Sequence, residues 1–454
     1  MKLRSNIEAC LSCRSQSPEA GSVLILVLWI SFGLVSIALY FGHSMSFELR
    51  ASDNRVAGLE AEQAVEGAAR YVSYLLSNLP EPGKIPDLIS YQREAVPLGD
   101  ATFWVIGRDA QPRTLNTPFF GLVDEASKLN LNTARREMLE ALPRMTPELA
   151  AAIIDWRDAD GEITPGGAES ETYQRRQPAY SCKNAPFESV DELRLVAGAD
   201  LEILYGEDAN LNGILDRNEN DGDVSAPADN HDGRLDPGLL EYVTIYSREP
   251  NTRSDGSPRV NVSGPGVRAE LPTLLQSKFS VARANQILQR LQTGTNGSTL
   301  QFFIRSGMTV EEFAQISGEV TTSSGDFARG LVNVNTASEA VLTCLPGIGT
   351  DKASSVIAYR QANSDKLTSV AWLVEALGAA AAIQAGPYVT SRSYQFSADI
   401  AAVGHHSRGF RRSRFIFDLS EQSAKIRYRE DLDRSGWALG TEVRQKLLVA
   451  QQAR

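Results

Sequence analysis

Catalytic signatures are missing from this chain. There is no G-x-S-x-G elbow, no H-E-x-x-H helix and no phosphate-binding P-loop. Four histidines are present, His43, His231, His405 and His406, and none falls in a recognisable nucleophile or metal arrangement. The chain is therefore not read as an enzyme. His405 and His406 sit in the polar stretch GHHSRG, which reads as an exposed hairpin turn. Cysteine is equally scarce. Cys10 and Cys13 have the spacing of half a zinc site, but no second pair completes it. Cys182 and Cys344 could form one disulfide in an oxidising compartment or remain two separate buried thiols. A basic excess is also absent. The net charge is −11, which argues against general nucleic-acid binding.

Charge is also missing from one stretch in particular. Val23 to Phe41 are nineteen residues without a charge, enough to span a bilayer core. The run is longer than a secretory h-region, and the small residues Ala20 and Gly21 precede it rather than follow it. Lys2, Arg4 and Arg14 outnumber Glu8 and Glu19 upstream, which places the bulk of the chain outside the cytoplasm. From Ser46 to Leu79 there is no proline. Leu59, Ala64, Val65, Ala68, Ala69, Val72, Leu75, Leu76 and Leu79 recur at helical steps. Pro80 and Pro82 then stop the pattern. One helix over residues 22–79 is predicted, lipid-facing first and protein-facing later.

This layout resembles type IV prepilins and the pseudopilins of type II secretion. The resemblance implies a leader, residues 1–21, removed by prepilin peptidase between Gly21 and Ser22. Residues 22–41 would then be the transmembrane part. The fifth mature residue would be Leu26, where most members of the family carry glutamate. Only one pseudopilin type, the large minor component protein K, is expected to lack that acid.

A repeat organises the middle of the chain. LNLNTARREMLEALPRMTPELAAAIIDWR from Leu129 matches VNVNTASEAVLTCLPGIGTDKASSVIAYR from Val332 without a gap. Asn130, Asn132, Thr133, Leu139, Leu142, Pro143, Ile154 and Arg157 recur as Asn333, Asn335, Thr336, Leu342, Leu345, Pro346, Ile357 and Arg360. Each copy reads as two short helices and a tight turn, with Asn or Thr capping the first helix. The glycines of LPGIG suit the turn. The register then shifts, so that FESVDELRLVAG from Phe187 matches LTSVAWLVEALG from Leu367. A third, degraded copy starts at Arg259 and ends near Ile287.

The repeats resemble helix-hairpin-helix modules, and the second copy is similar to DNA-uptake receptors. The surrounding charges do not support DNA. Lys352, Arg360 and Lys366 are offset by Glu339, Asp351, Asp365 and Glu375. The block WRDADGE…PGGAESETY…KNAPFESVDELRLVAG closely resembles the first helical domain of the type II secretion protein K family. That resemblance covers nearly the whole chain.

Between Asp200 and Leu240 stand eleven acids and only two bases, Arg217 and Arg234. Within this block DANLNGILDRNE fits the twelve-residue calcium pattern D-x-[DN]-x-[DN]-G-x5-E. Asp208, Asn210 and Asn212 would give side-chain oxygens. Gly213 would allow the turn. Ile214 would give its carbonyl, Asp216 would ligate directly or through water, and Glu219 would close the site in bidentate fashion. Leu215 is expected to pin the loop to the core. A weaker candidate holds Asp229, Asn230, Asp232 and Asp236, with Leu239 where a closing acid should be. DADGE, Asp158 to Glu162, is weaker still. Calcium here is expected to be structural, and family resemblance implies calcium in this domain.

Strands are predicted over Ala101–Ala110, over the stretch from Phe119 into Asn132, and over Ser393–Val403 and Arg412–Ser420. The tail EVRQKLLVAQQAR reads as an exposed last helix or as disorder. The fold class expected is α+β. A pilin-like long N-terminal helix packs on a small antiparallel sheet, with a large α-helical domain inserted. The pilin-like part would comprise residues 80–128 and 388–454. A first helical domain would cover 129–330 and a second, helix-hairpin-helix-like, 331–387.

The functional expectation is a minor pseudopilin, single-pass in the inner membrane with its bulk periplasmic, at the pseudopilus tip with other minor pseudopilins. It would help initiate or cap pseudopilus assembly. The alternatives are a membrane-anchored DNA receptor and a calcium-dependent structural or adhesive protein.

Overall fold

The computed structural model describes residues 19–84, 91–108, 118–264, 270–421 and 423–452. Most of the expected leader, with Cys10 and Cys13, lies outside the described residues. Gly21 and Ser22 belong to the backbone of helix α1, Glu19–Ser77. The chain divides into two units, Met1–Val56 and Ala57–Arg454.

In the first unit the apolar side chains from Val23 to Phe41 are exposed along α1, Leu26 among them. This helix is long and apolar enough to cross a membrane.

In the second unit α1 turns one face inward. Ala57, Ala61, Ala64, Val65, Ala68, Ala69, Val72 and Leu76 are buried at steps of three and four. Leu59, expected on that face, is 57% exposed. It lies five positions from Ala64, about 140° around the helix. The small side chains let backbone approach backbone. Gly404 and Gly409 pack against Ala57 and Gly58, where a Cβ on either glycine would come within 2.1 and 2.3 Å of main-chain atoms.

The buried face of α1 meets an antiparallel sheet. Its strands are β1 (Val96–Leu98), β2 (Ala101–Ile106), β3 (Val123–Asp124), β4 (Gln395–Val403), β5 (Arg411–Asp418) and β6 (Lys425–Asp431). The order is β1-β2-β4-β5-β6, and β3 also pairs with β4. Phe103, Val105, Phe396, Ile400, Phe415 and Phe417 face α1. Trp104, Ile106, Ala401 and Val403 face the other way, onto Leu439 and Val443 of the C-terminal segment. Its helix, Gly440–Gln452, is therefore docked along that edge, although Leu448 and Val449 stay exposed. Covering both faces explains why every residue of β4 is buried.

The predicted strand after Phe119 is broken into two strands of two residues each, Val123–Asp124 and Leu129–Asn130. The Asp124 carboxylate accepts the Ala126 N–H at 2.8 Å and starts a short 3-10 turn, Glu125–Ser127. His405 is not simply an exposed turn residue. Its Nδ1 lies 2.6 Å from Glu60 Oε2, which also accepts its backbone N–H, whereas His406 is exposed.

The helical region, inserted between β3 and β4, contains three copies of one unit. Each is closed by a two-residue parallel pair: Leu129–Asn130 with Val243–Thr244, Val260–Asn261 with Val320–Thr321, and Val332–Asn333 with Val389–Thr390. The degraded copy thus runs from Arg259 to Thr321, past Ile287. In each copy the Asn Oδ1 accepts the N–H two residues on, at 2.9, 2.9 and 3.0 Å. Each threonine hydroxyl accepts the N–H two residues on, at 3.2, 3.1 and 3.2 Å.

Neither Asn132 nor Thr133 caps the first helix, which begins at Arg136. Asn132 instead brackets the Phe187 backbone at 2.8 and 3.0 Å. Asn335 correspondingly donates to the Leu367 carbonyl at 3.0 Å. Arg157 and Arg360 both donate to carbonyls within their own unit, Leu131 and Ala134 or Val334 and Ala337. Arg144 adopts φ +60°, the left-handed conformation that Gly347 adopts at φ +81°. One apolar core runs through all three units, from Leu129 to Val389.

The insertion is tied to the sheet at Asp124. Its Oδ2 accepts from Asn333 Nδ2 at 3.0 Å, Thr336 Oγ1 at 2.5 Å and Ser393 Oγ at 2.6 Å. Asp124→Ala strands these buried donors. We expect a loss of about 2–4 kcal/mol in urea unfolding of the detergent-solubilised chain. A loss within error of zero would show that the seam is held elsewhere.

Candidate cation-binding loops

Short-range polar turns build the acidic segment. Asp208 accepts the N–H groups of Asn212 and Gly213 at 2.9 Å each. Asn210 Oδ1 accepts from Asn212 N, and Asn212 Oδ1 from Ile214 N, at 3.0 and 2.7 Å. Such turns replace helix or strand with a tight curl. Gly213 has φ +71° and Leu211 φ +54°. Glu219 closes the curl from below, accepting Asp216 N at 2.9 Å and Ala209 N at 3.2 Å. Asp216 Oδ2 meets both amides, Asn210 Nδ2 at 2.8 Å and Asn212 Nδ2 at 3.0 Å. The loop is anchored by Ile214 and Leu211, both buried, while Leu215 is half-buried.

Three carboxylates are thus folded into one loop, and Asp208 and Glu219 are each only 1% exposed. Burial, with Asp208 and Asp216 nearby, pushes the Glu219 carboxyl up to about 8. Burial also raises Asp208, against the pull of Arg108. In donor type this set of carboxylate, amide and carbonyl oxygens suits a hard divalent cation, although among the described residues no three acidic, histidine or cysteine side chains already converge on one point.

The second acidic stretch repeats the arrangement with borrowed residues. Asn230 Oδ1 accepts from Asp232 N at 2.9 Å, Asp232 Oδ1 from Arg234 N at 2.8 Å, and Asn230 Nδ2 donates to Asp236 Oδ2 at 3.1 Å. The missing closing acid is Glu207. It accepts Asp236 N at 2.9 Å and Asn230 N at 3.3 Å. Asn220 stands where a first-position acid would, accepting the Gly233 N–H at 3.0 Å. Asp229 is turned elsewhere, accepting the N–H groups of Asp221, Gly222 and His231. A linear twelve-residue pattern could not find Glu207, because it precedes the first loop. The only signal was an acid directly before Asp208.

A third oxygen cluster surrounds Asp158. Asp155 Oδ2, Asp158 Oδ1, Glu169 Oε1 and Asn184 Oδ1 are buried and accept no hydrogen bond. Asp155 is fully buried, and a Cβ on Gly167 would lie 2.1 Å from its free oxygen. Burial and the neighbouring acids raise Asp158 and Glu169. Asp160 and Glu162 of the DADGE stretch are exposed instead. Close to this cluster Cys182 is a free buried thiol, as is Cys344 in the last repeat.

Residues 123–205 match the family model described as type II secretion system protein K, and residues 328–390 the helix-hairpin-helix motif. Type II secretion system protein K of Klebsiella pneumoniae is 42% identical over 67 residues, 15% of this chain and 21% of that protein. The protein of that name from Aeromonas hydrophila is 29% identical over 207 residues, 42% of this chain and 62% of that one. The chain is thus similar to type II secretion system protein K over part of its length. It spans less than two thirds of either relative. A solved GspK-GspI-GspJ complex from enterotoxigenic Escherichia coli aligns over 85% of this chain and 99% of that one, at 12% identity and a TM-score of 0.41.

The protein K match covers β3, the first part of the first repeat unit and the Asp155–Glu169 cluster, and ends before Glu207. Both acidic loops follow it. The helix-hairpin-helix match covers the last unit. Arg360 there is buried on the Val334 and Ala337 carbonyls and is not placed for a phosphate backbone, while Lys366 is exposed 3.8 Å from Glu375.

The two loops should respond separately. Glu207→Ala is expected to speed hydrogen exchange at Asn230 and Asp236 roughly tenfold, the cost of one lost acceptor. Glu219→Ala should do so at Ala209 and Asp216. Equal effects of either change on both loops would contradict the assignment.

Proposed function

We propose that this chain is a minor pseudopilin of a type II secretion system. It acts at the tip of the periplasmic pseudopilus, helping to initiate or cap its assembly. The family match carries the reading, and the exposed apolar half of α1 supports it. α1 anchors the protein in the inner membrane after prepilin peptidase cuts between Gly21 and Ser22. Its partners are other minor pseudopilins. The wide helical insertion on a pilin-like sheet suits an end position, because it leaves no room for a subunit stacked above. Leu26 in place of the usual acid also suits an end subunit, which can dispense with one charge pairing to a neighbour.

Calcium is the structural cofactor in this reading. Asp208, Asn210, Asn212, Asp216, Glu219 and the Ile214 carbonyl would hold one ion. Glu207, Asn220, Asn230, Asp232 and Asp236 would hold another. The orphaned oxygens around Asp155 and Glu169 offer a third place, since each buried unpaired group otherwise costs about 1–3 kcal/mol.

Two experiments test these points. Intact-mass analysis of the protein from membranes should give a mature start at Ser22, and an uncut Met1 would overturn the pseudopilin reading. Calcium at a hundredfold excess over Kd should stabilise the chain by about 2.7 kcal/mol for each ion bound. Asp208→Asn with Glu219→Gln should remove one bound ion per chain in titration calorimetry. Unchanged stoichiometry would remove the first loop from the account.

A further inference from the structure

The first acidic loop is gripped from outside by the sheet. Arg412 of β5 is fully buried and pairs with Asp399 of β4 at 2.8 and 2.6 Å. Its remaining donors do not serve the sheet. Nη1 donates to the Asn210 carbonyl at 2.6 Å and Nη2 to the Leu211 carbonyl at 2.7 Å. Arg108, two residues past β2, adds a second guanidinium. Its Nη2 donates to the Leu211 carbonyl at 2.6 Å and its Nη1 to the Asn212 carbonyl at 3.3 Å, while Nε pairs with Glu241 at 3.0 Å. Three consecutive carbonyls, 210 to 212, therefore point at two arginines of the pilin-like sheet.

The consequence for the loop is geometric. Leu211 sits at φ +54°, a left-handed conformation that disfavours a residue carrying a Cβ. Its carbonyl receives a donor from each arginine, which offsets that cost. With these carbonyls turned outward, the Asn212 and Gly213 N–H groups turn onto Asp208. Charge cannot be what the arginines contribute to cation binding, because a positive group beside such a site repels the ion.

We propose that Arg108 and Arg412 are positioning residues for the cation loop, so that ion binding to Asp208–Glu219 and docking of that loop on the sheet form one coupled equilibrium. This rests on the loop being a cation site. Coupling is reciprocal. The docked sheet tightens the ion, and the ion fastens the helical insertion to the sheet.

The sign of the effect gives the test. Removing an arginine for its charge alone would strengthen calcium binding, whereas removing it as a positioning group weakens it. Calcium titration calorimetry on the full chain in detergent should show the loop ion bound at least tenfold more weakly in Arg108→Gln. The same loss is expected in Arg412→Gln combined with Asp399→Asn, a pair that leaves no buried carboxylate unpaired. Arg108→Lys should restore part of the affinity. Hydrogen exchange of β4 and β5 amides should slow on adding calcium to the parent, and not in the arginine variants. Unchanged or tighter calcium binding in both variants would overturn the inference while leaving the loop site intact. A parent chain whose calcium stoichiometry ignores Asp208→Asn with Glu219→Gln would overturn both.

Discussion

A chain inserted into a sheet must leave and return at one point, or the sheet opens. Here the departure is β3 and the return is β4, and Asp124 pairs directly with Phe396. The Asp124 carboxylate is the seam. It gathers Ser393 from the returning segment with Asn333 and Thr336 from the last unit. All are buried or half-buried, so each bond forms where water cannot substitute. The rest of the insertion follows the same rule on a smaller scale. Every unit ends beside its own beginning, through a parallel pair of two residues, so units can be strung together without disturbing one another. The threonines then link one part to the next. Thr244 donates to Glu125 and Thr390 to Glu249, both buried acids.

Periodicity and repetition were the legible parts. The helix, the sheet strands at Ala101, Gln395 and Arg411, and the two stronger repeats could be read because each leaves a regular trace. The degraded unit reads as cut short in the sequence because the stretch it repeats is short. What defines it is the distant pairing of Val260 with Val320. Leu59 shows the limit of reading apolar steps alone: it belongs to the pattern by type and not by angle. β6 was missed outright. Its sequence, KIRYRED, is that of a charged edge strand, with its side chains largely in solvent. The asparagines were seen as repeated and given the wrong task. They bind backbone far away, at Phe187 and Leu367, instead of capping their own helices.

The acidic loops divide in the same way. The first was legible because all its polar groups lie in one twelve-residue window. The second was not, since Glu207 and Asn220 come from outside it. No local pattern encodes a partner supplied by another turn of chain. The arginines that hold the first loop are further away still, on β5 and after β2.

Charge accounting shows why those arginines do not make the loop self-sufficient. Arg412 is matched by Asp399, and Arg108 by Glu241. What they offer the loop is hydrogen bonding to carbonyls, after their charge has already been answered. Asp208, Asp216 and Glu219 therefore share a buried curl with no cation of their own. Such a set can be neutralised by protons or by a bound metal ion. The N–H groups of Ala209, Asn212, Gly213 and Asp216 occupy only part of the acceptor capacity of Asp208 and Glu219, because each ionised carboxylate offers about four lone-pair sites. The hydrogen bonds that shape the loop therefore leave lone pairs over on the same oxygens, and whatever neutralises the curl has to share them with the backbone.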